Sequence, residues 1–260
     1  MGVFEAAYPR VERAVRWCFG AGWSGVQAVG LGVLDLDEVM RRAVKRFGVP
    51  TYSDAAYVAN SGLWAWEQEA IGRHFPASGR LLVGAAGAGR EMVALTRAGF
   101  AVEGFECCRP LVEAGQPILR EAGCKGQLVW AEAGRVAAIT GPFDGAIMGW
   151  SGYMYIPGRE KRIALLGEFR EVLRPGAPVL VSFQTREYCE RRMQWAARGA
   201  NWIRAVRRAA PVEVGDRLDN GYKHWFDQGD VESEMRDAGL QFENYAAEPY
   251  GWAVGRVLTK

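Results

Sequence analysis

Two β-rich runs, "LQFENYA" (240–246) and "GWAVGRVLT" (251–259), restrict the fold more than any other feature of the chain. Only the tight "EPY" turn, with Ala247 before it, separates them. A parallel pair needs a crossover of a dozen or so residues, so these two strands must be antiparallel. From residue 80 onward the preceding chain follows a different rule, with short β-rich runs alternating with helical ones. The β-rich runs are "RLLVGA", "AVEGFE", "QLVWAE", "FDGAIMGW" and "APVLVSF", and the clearest helices between them are "GREMVALTRAG" and "REKRIALLGEFREVLRPG". Such alternation implies right-handed crossovers and a parallel sheet covered on both faces. The prediction is an α/β fold whose mostly parallel seven-stranded sheet ends in an antiparallel hairpin.

The first 75 residues carry no such alternation. Phe4, Tyr8, Val11, Val15 and Cys18 repeat at helical spacing, as do Leu36, Val39, Met40, Ala43, Val44 and Phe47. Asp35 or Asp37 is placed to cap the second of these helices. A third helical segment, "YSDAAYVANSGLWAWEQEAIGRHF", carries Trp64 and Trp66 and ends at "PASG", a boundary signal. The expected organisation is a helical cap over 1–75 and an α/β core over 76–260, with an arginine-rich insert at 184–220.

Composition excludes several classes. The formal net charge of +2 is too close to neutrality to argue for nucleic acid or an anionic membrane surface. Five cysteines with no C-x-x-C pair speak against a disulfide framework and against a thiolate metal site. With only His74 and His224 available, a histidine-rich metal site is not expected either. No uninterrupted apolar run reaches membrane-spanning length. The N-terminus mixes charges into its apolar residues, unlike a signal peptide, so the cytoplasm is the expected compartment. Ten tryptophans suit either a pocket for a flat or apolar ligand or ordinary core packing.

In an open α/β sheet, ligands bind beyond the carboxyl ends of the strands, where the strand order reverses. The first strand would end near Ala85, with Gly87 and Gly89 in the following turn, and the second strand at Glu106. Glycine lets a ligand approach the backbone. A carboxylate at the second strand's end can accept hydrogen bonds from both hydroxyls of a ribose. Glycine turn and carboxylate together point to an adenosine-type ligand, leaving a nicotinamide dinucleotide and S-adenosylmethionine both open.

Over residues 80–260 the chain resembles the Rossmann-like (class I) S-adenosylmethionine-dependent methyltransferases. The resemblance runs through "AAGAG", Glu106, Glu132 in "VWAEAG", "FDGAIMGWSGY", "LLGEFREVLRPGAPVLVSF" and "HWFDQGDVESEMRDAGLQFENY". It implies that Ala85, Gly87 and Gly89 admit the methionine part of the cofactor, that Glu106 holds the ribose and that Cys107 lies against the adenine. Glu132 and the Ala133 backbone would meet the adenine edge, and Gly149 and Trp150 would border the sulfonium. The chain departs from the family at two positions. Val83 stands where the family carries an acid, and Ala85 replaces the first glycine of the motif; Arg90 or a cap tyrosine could take the lost contact. A dinucleotide-dependent oxidoreductase is opposed by the terminal hairpin, by the absence of a Tyr-x-x-x-Lys pair and by the lack of a His–Asp or His–Glu pairing that stands out for hydride chemistry.

Methyl transfer needs alignment more than acid–base help, because the cofactor supplies the electrophile. His224, with a reference pKa near neutrality, is the candidate general base, and Tyr153 a second catalytic candidate. Tyr57, Trp64, Tyr155 and Arg186 are candidate substrate residues. Tyr52 is a further cap residue expected to face inward, and His74 is expected only to complement a helix C-terminus. The expected partner is a small-molecule acceptor, acidic or aromatic, bound by a monomer or a homodimer. The insert arginines, including Arg191, Arg198, Arg204 and Arg207, leave open an RNA or protein acceptor or a solvated helix pair. The departures at Val83 and Ala85 leave open a cofactor-binding protein without turnover.

Overall fold

A computed structural model describes residues 20, 22–48, 50–186, 190–219 and 221–259. The periodic stretch from Phe4 to Cys18 lies outside them. The described chain begins with a helical stretch over 22–33, followed by α1 (Leu36–Phe47), the single turn α2 (Pro50–Ser53), α3 (Ala55–Asn60) and α4 (Ala65–His74). Asp35 caps α1: its Oδ1 accepts from the backbone N–H groups of Asp37 at 2.9 Å and Glu38 at 3.3 Å. The segment expected as one helix over 52–75 is broken between α3 and α4. Gly62 adopts φ +66°, and α4 restarts where Glu67 accepts from the Trp64 N–H at 2.6 Å.

The α/β part then alternates as the sequence predicts: β1 (Arg80–Gly84), α5 (Arg90–Arg97), β2 (Ala101–Glu106), α6 (Arg109–Glu121), β3 (Leu128–Trp130), β4 (Gly145–Met148), α7 (Arg159–Val172) and β5 (Pro178–Phe183). A 3₁₀ turn, Gly152–Tyr155, links β4 to α7. All of β5 is buried, as expected for a strand covered on both faces. Leu81 and Val83 of β1 join the cluster on one face, with Met92 of α5 and Leu119 of α6. Leu82 joins the cluster on the other, with Leu165 and Phe169 of α7. Fully burying one such aliphatic side chain stabilises by about 1.5–3 kcal/mol.

The remaining elements are α8 (Glu190–Val206), β6 (Asp216–Leu218), β7 (Tyr222–His224), α9 (Gln228–Asp237), β8 (Leu240–Ala246) and β9 (Gly251–Val257). The main sheet has seven strands in the order β3-β2-β1-β4-β5-β9-β8. Its first five strands are parallel. β9 runs antiparallel to both β5 and β8, which makes the terminal hairpin the sequence required. The strand order reverses between β1 and β4.

The insert is not a helix pair. Among its described residues it holds the helix α8 and the strand β6, which pairs with β7 just beyond it in a separate antiparallel hairpin. It packs on the N-terminal helices, since Leu31, Leu36, Met40 and Ala43 share a cluster with Ala197, Ala200, Val212 and Tyr222. Among the described residues no helix is long and apolar enough to cross a membrane.

Candidate functional site

The site grows out of the turn after β1. Ala85 takes φ +50° and Gly87 φ +57°, left-handed angles that β-branched residues avoid. A side chain at Gly87 would meet no neighbouring atom, so the turn is open on this side. Glu106, at the tip of the adjacent β2, is buried and anchored to that turn. Its Oε2 accepts from the Gly87 N–H at 3.0 Å, and its Oε1 from the Cys108 N–H at 2.8 Å and the Cys107 thiol at 3.3 Å. Burial, reinforced by Glu106, pushes the Cys107 thiol well above its usual range, so it stays a neutral donor. Each carboxylate oxygen accepts about two hydrogen bonds, so Glu106 keeps capacity for a ligand.

A cavity of about 310 Å³ opens over this turn. The carboxyl ends of the strands supply its floor: Ala85, Gly87, Glu106, Cys107, Glu132, Ala133 and Trp150 all line it. The N-terminal helices supply the opposite wall through Met40, Val44, Phe47, Tyr52, Tyr57 and Val58. Tyr155 closes one end, its ring 5.2 Å from that of Phe47 in an edge-on contact. Burial, then the neighbouring Tyr250, Tyr52 and Asp219, push the Tyr155 phenol up to about 12. At neutral pH it is a hydrogen-bond donor rather than a base.

Other candidates named from the sequence do not reach the cavity. Gly149 and Gly89 serve packing. A Cβ at Gly149 would lie 2.6 Å from the Ala85 carbonyl oxygen, and one at Gly89 would lie 2.8 Å from Leu119. Trp64 stands behind the wall, edge-on to Trp150 at 5.7 Å with the Arg90 guanidinium 5.0 Å from its ring centre. Tyr153 is fully buried and donates to Glu234 at 2.6 Å. Arg186 turns away to the carboxylates of Asp227 and Asp230 and donates to the Val214 carbonyl.

His224 does not face the cavity as a base. It is 1% exposed, with Nδ1 2.6 Å from Asp216 Oδ1 and Nε2 3.9 Å from Asp230. Burial favours the neutral ring, but Asp216 and Asp230 outweigh it and raise the His224 pKa above its ordinary value. Glu213 completes this group, and Glu213, Asp216 and His224 bring ligand atoms within 4.8 Å of one another. Arg162 already occupies Glu213 at 2.8 Å, however, which makes the group an ion cluster. His74 pairs with Glu243 at 3.1 Å.

Several lining residues had no signal of their own in the sequence. Tyr250 reaches the cavity from the β8–β9 turn and is hydrogen-bonded to Ser151. Gln184 enters from just past β5 and Lys223 from β7. Glu91, in the first turn of α5, accepts from Arg90 at 2.7 Å and from the Trp150 N–H at 3.2 Å.

No family model matches the chain, and no curated protein matches it in sequence. Solved structures do match in shape. An S-adenosylmethionine-dependent methyltransferase from Methanosarcina mazei superposes with a TM-score of 0.59 at 15% identity, covering 76% of this chain and 100% of its own. The CcbJ methyltransferase from Streptomyces caelestis gives a TM-score of 0.55 at 13% identity, covering 81% of this chain and 91% of its own. The [4+2]-cyclase SpnF gives 0.56 at 13% identity, covering 75% of this chain and 82% of its own. At such identities the likeness concerns architecture, and the presence of a cyclase shows that the architecture carries more than one reaction. The chain has the Rossmann-like fold of the class I S-adenosylmethionine-dependent methyltransferases.

Proposed function

We propose that this chain binds S-adenosylmethionine and transfers its methyl group, by in-line displacement, to a nucleophilic atom of a small-molecule acceptor. The observation that carries the reading is the pairing of Glu106 with the open Gly87 position over a cavity where the strand order reverses. A protein similar in shape adds support: the glycopeptide N-methyltransferase MtfA, at 18% identity and a TM-score of 0.55, was solved in complex with S-adenosylmethionine.

The residues present fit such a ligand. Glu106 Oε2 keeps a lone pair for a ribose hydroxyl, and Cys107, Glu132 and Ala133 border the space beside it where the adenine would lie. When bound, the sulfonium supplies an electrophilic methyl group. The chain's own work is then to align the acceptor and keep water out, which alone is worth several kcal/mol of barrier. Trp150, Tyr155, Tyr57 and the apolar cap side chains form the surface for that alignment. The phenols of Tyr57 and Tyr155 are held up by burial and His224 is sealed away, so none of these three serves as the base. The apolar wall from the N-terminal helices and the paired state of Arg186 favour an apolar or aromatic acceptor.

An RNA acceptor loses support for a related reason. Arg204 donates to the Leu31 carbonyl at 2.6 Å and Arg207 to the Gly32 carbonyl at 3.1 Å, so part of the arginine-rich stretch holds the N-terminal helix in place. The free thiols of Cys107, Cys108 and Cys124 fit a reducing, cytoplasmic setting.

Calorimetric titration with S-adenosylhomocysteine, S-adenosylmethionine and NAD tests the reading. Micromolar binding of the two sulfur nucleosides is expected, with none of NAD. In Glu106→Ala the loss should be about 1.5–3 kcal/mol, the usual worth of hydrogen bonds to a charged acceptor. Binding of NAD alone would overturn it.

A further inference from the structure

Among the described residues, the wall of the cavity holds a buried charge that is not balanced. Arg90, Glu67 and Glu91 are each at most 5% exposed, two carboxylates around one guanidinium. The four hydrogens on Arg90's terminal nitrogens are all taken. Nη1 donates to the Gly62 carbonyl at 2.6 Å and to Glu67 at 2.9 Å, and Nη2 to Glu67 at 2.6 Å and to Glu91 at 2.7 Å. Arg90 therefore has no terminal donor left for a ligand carboxylate, although it lines the cavity.

Glu91 is in the opposite state. Its Oε1 receives both Arg90 and the Trp150 N–H, while its Oε2 has no partner among the described residues. That oxygen belongs to a side chain lining the cavity, so it is open to a ligand rather than sealed in the core. An anionic oxygen in a partly desolvated wall, beside one arginine shared by two carboxylates, attracts a cation that carries N–H donors. A primary ammonium meets both conditions.

Position narrows the ligand further. Glu106 stands at the tip of β2, and Glu91 is tied to Trp150 just past β4, on the other side of β1. Two strand spacings, about 10 Å, separate those tips. A nucleoside whose ribose lies at Glu106 thus extends its 5′ substituent over the glycine turn toward Glu91. Val83 of β1 is buried in the sheet core and offers no oxygen of its own to that end of the ligand.

We propose that Glu91 binds the α-ammonium of the ligand's amino-acid end, held in place from the cap side by Arg90 and Glu67. The proposal rests on the cofactor reading above and places this contact on α5. The grip on the cofactor then depends on the helices that cover it, because Arg90 is anchored to Gly62 and Glu67 of the cap.

The test compares three nucleosides by calorimetry on the full chain and on Glu91→Gln: S-adenosylhomocysteine, its deaminated analogue carrying a 3-carboxypropyl group, and 5′-methylthioadenosine, which lacks the amino-acid end altogether. Wild type should bind S-adenosylhomocysteine at least tenfold tighter than the deaminated analogue. Glu91→Gln should weaken S-adenosylhomocysteine about tenfold or more, leave 5′-methylthioadenosine within twofold, and bind the first two ligands alike. Glutamine keeps the acceptor for Arg90 and Trp150. If the variant nevertheless unfolds, the wild-type preference over the deaminated analogue still decides. No preference in wild type, or equal weakening of all three ligands in the variant, overturns the assignment of Glu91. Failure of wild type to bind any of the three overturns the cofactor reading itself, and this inference with it.

Discussion

Two of the buried arginines among the described residues, Arg162 and Arg90, each lie between carboxylates, and they differ in one respect. Arg162 of α7 is closed on every side: Glu234 of α9 at 2.6 Å, Glu213 at 2.8 Å and the Ile156 carbonyl at 3.2 Å take its donors. The second oxygen of Glu234 is itself satisfied by the Tyr153 hydroxyl at 2.6 Å. Arg90 is equally well bonded, but one oxygen of its partner Glu91 is left for the cavity. The first cluster joins α7, α9 and the 3₁₀ turn behind the sheet. The second joins the N-terminal helices to the glycine-turn helix and lies in the cavity wall. Buried charge with complete partners holds elements together, and buried charge with a vacant acceptor on a cavity selects what enters.

The largest effect that bears on this contrast is expected behind the sheet. Arg162→Leu leaves Glu234 and part of Glu213 buried without a counter-charge, and breaking a buried pair in this way costs about 3–5 kcal/mol. Denaturant unfolding should show that loss. A cost within that of a surface substitution would erase the distinction between the two clusters.

Glu67→Gln is the intermediate case. It keeps an acceptor for Arg90 but removes a charge, and stability should fall by about 1–3 kcal/mol. The same variant should lose affinity for S-adenosylhomocysteine and keep it for 5′-methylthioadenosine, since its effect on binding runs through Glu91. Equal loss for both ligands would make the cap cluster purely architectural.

A third prediction uses pH to sharpen the reading of the closed region. His224 is protonated more readily in the fold than in the open chain, so its contribution is present below the ordinary imidazole pKa and lost as pH rises through the raised value. Asp216 behaves inversely. Burial would raise its pKa, but hydrogen bonds from His224 and Tyr222 lower it, so its contribution is present above the ordinary carboxyl pKa and lost as pH falls. Melting temperatures of His224→Gln across pH should lose the alkaline-side decline of wild type while methyl transfer persists. If activity vanished in a protein that still folds and binds the cofactor, His224 would act in the chemistry after all.

The smallest effect is expected outside both clusters. Lys161 and Asp37 pair across α7 and α1 with side chains 52% and 46% exposed. Such pairs contribute about 0–1 kcal/mol. Asp37→Ala should therefore move the unfolding midpoint hardly at all, and a shift comparable to that of Glu67→Gln would mean that exposure is the wrong criterion.

The parts of this structure that were legible in the sequence are those set by local rules. Strand runs, the Asp35 cap, the glycine turn and the sense of the last hairpin all depend on residues close together in the chain. The β6–β7 hairpin also has a local signal, because "DNG" at 219–221 is a turn sequence between β-compatible runs. Other features were not legible. Tyr153 meets Glu234 across 81 positions and Arg162 meets Glu213 across 51, and no periodicity announces such pairs. His224 looked like a base because its residue type suits the role. Its partner Asp216 lies only eight positions away, yet what decides its state is burial, which the sequence does not display.

The position of β9 between β5 and β8 also matters while the chain is being made. Until residues 251–257 emerge, one edge of β5 has no neighbour, and β5 is entirely apolar at its buried positions apart from Ser182. A nascent or truncated chain stopping before Gly251 would present that edge as a template for another strand. Such a chain would also hold Tyr250, a residue of the cavity lining, without the strand β9 that follows it. In the finished sheet β9 covers that edge, so it guards against strand-to-strand association as well as completing the sheet.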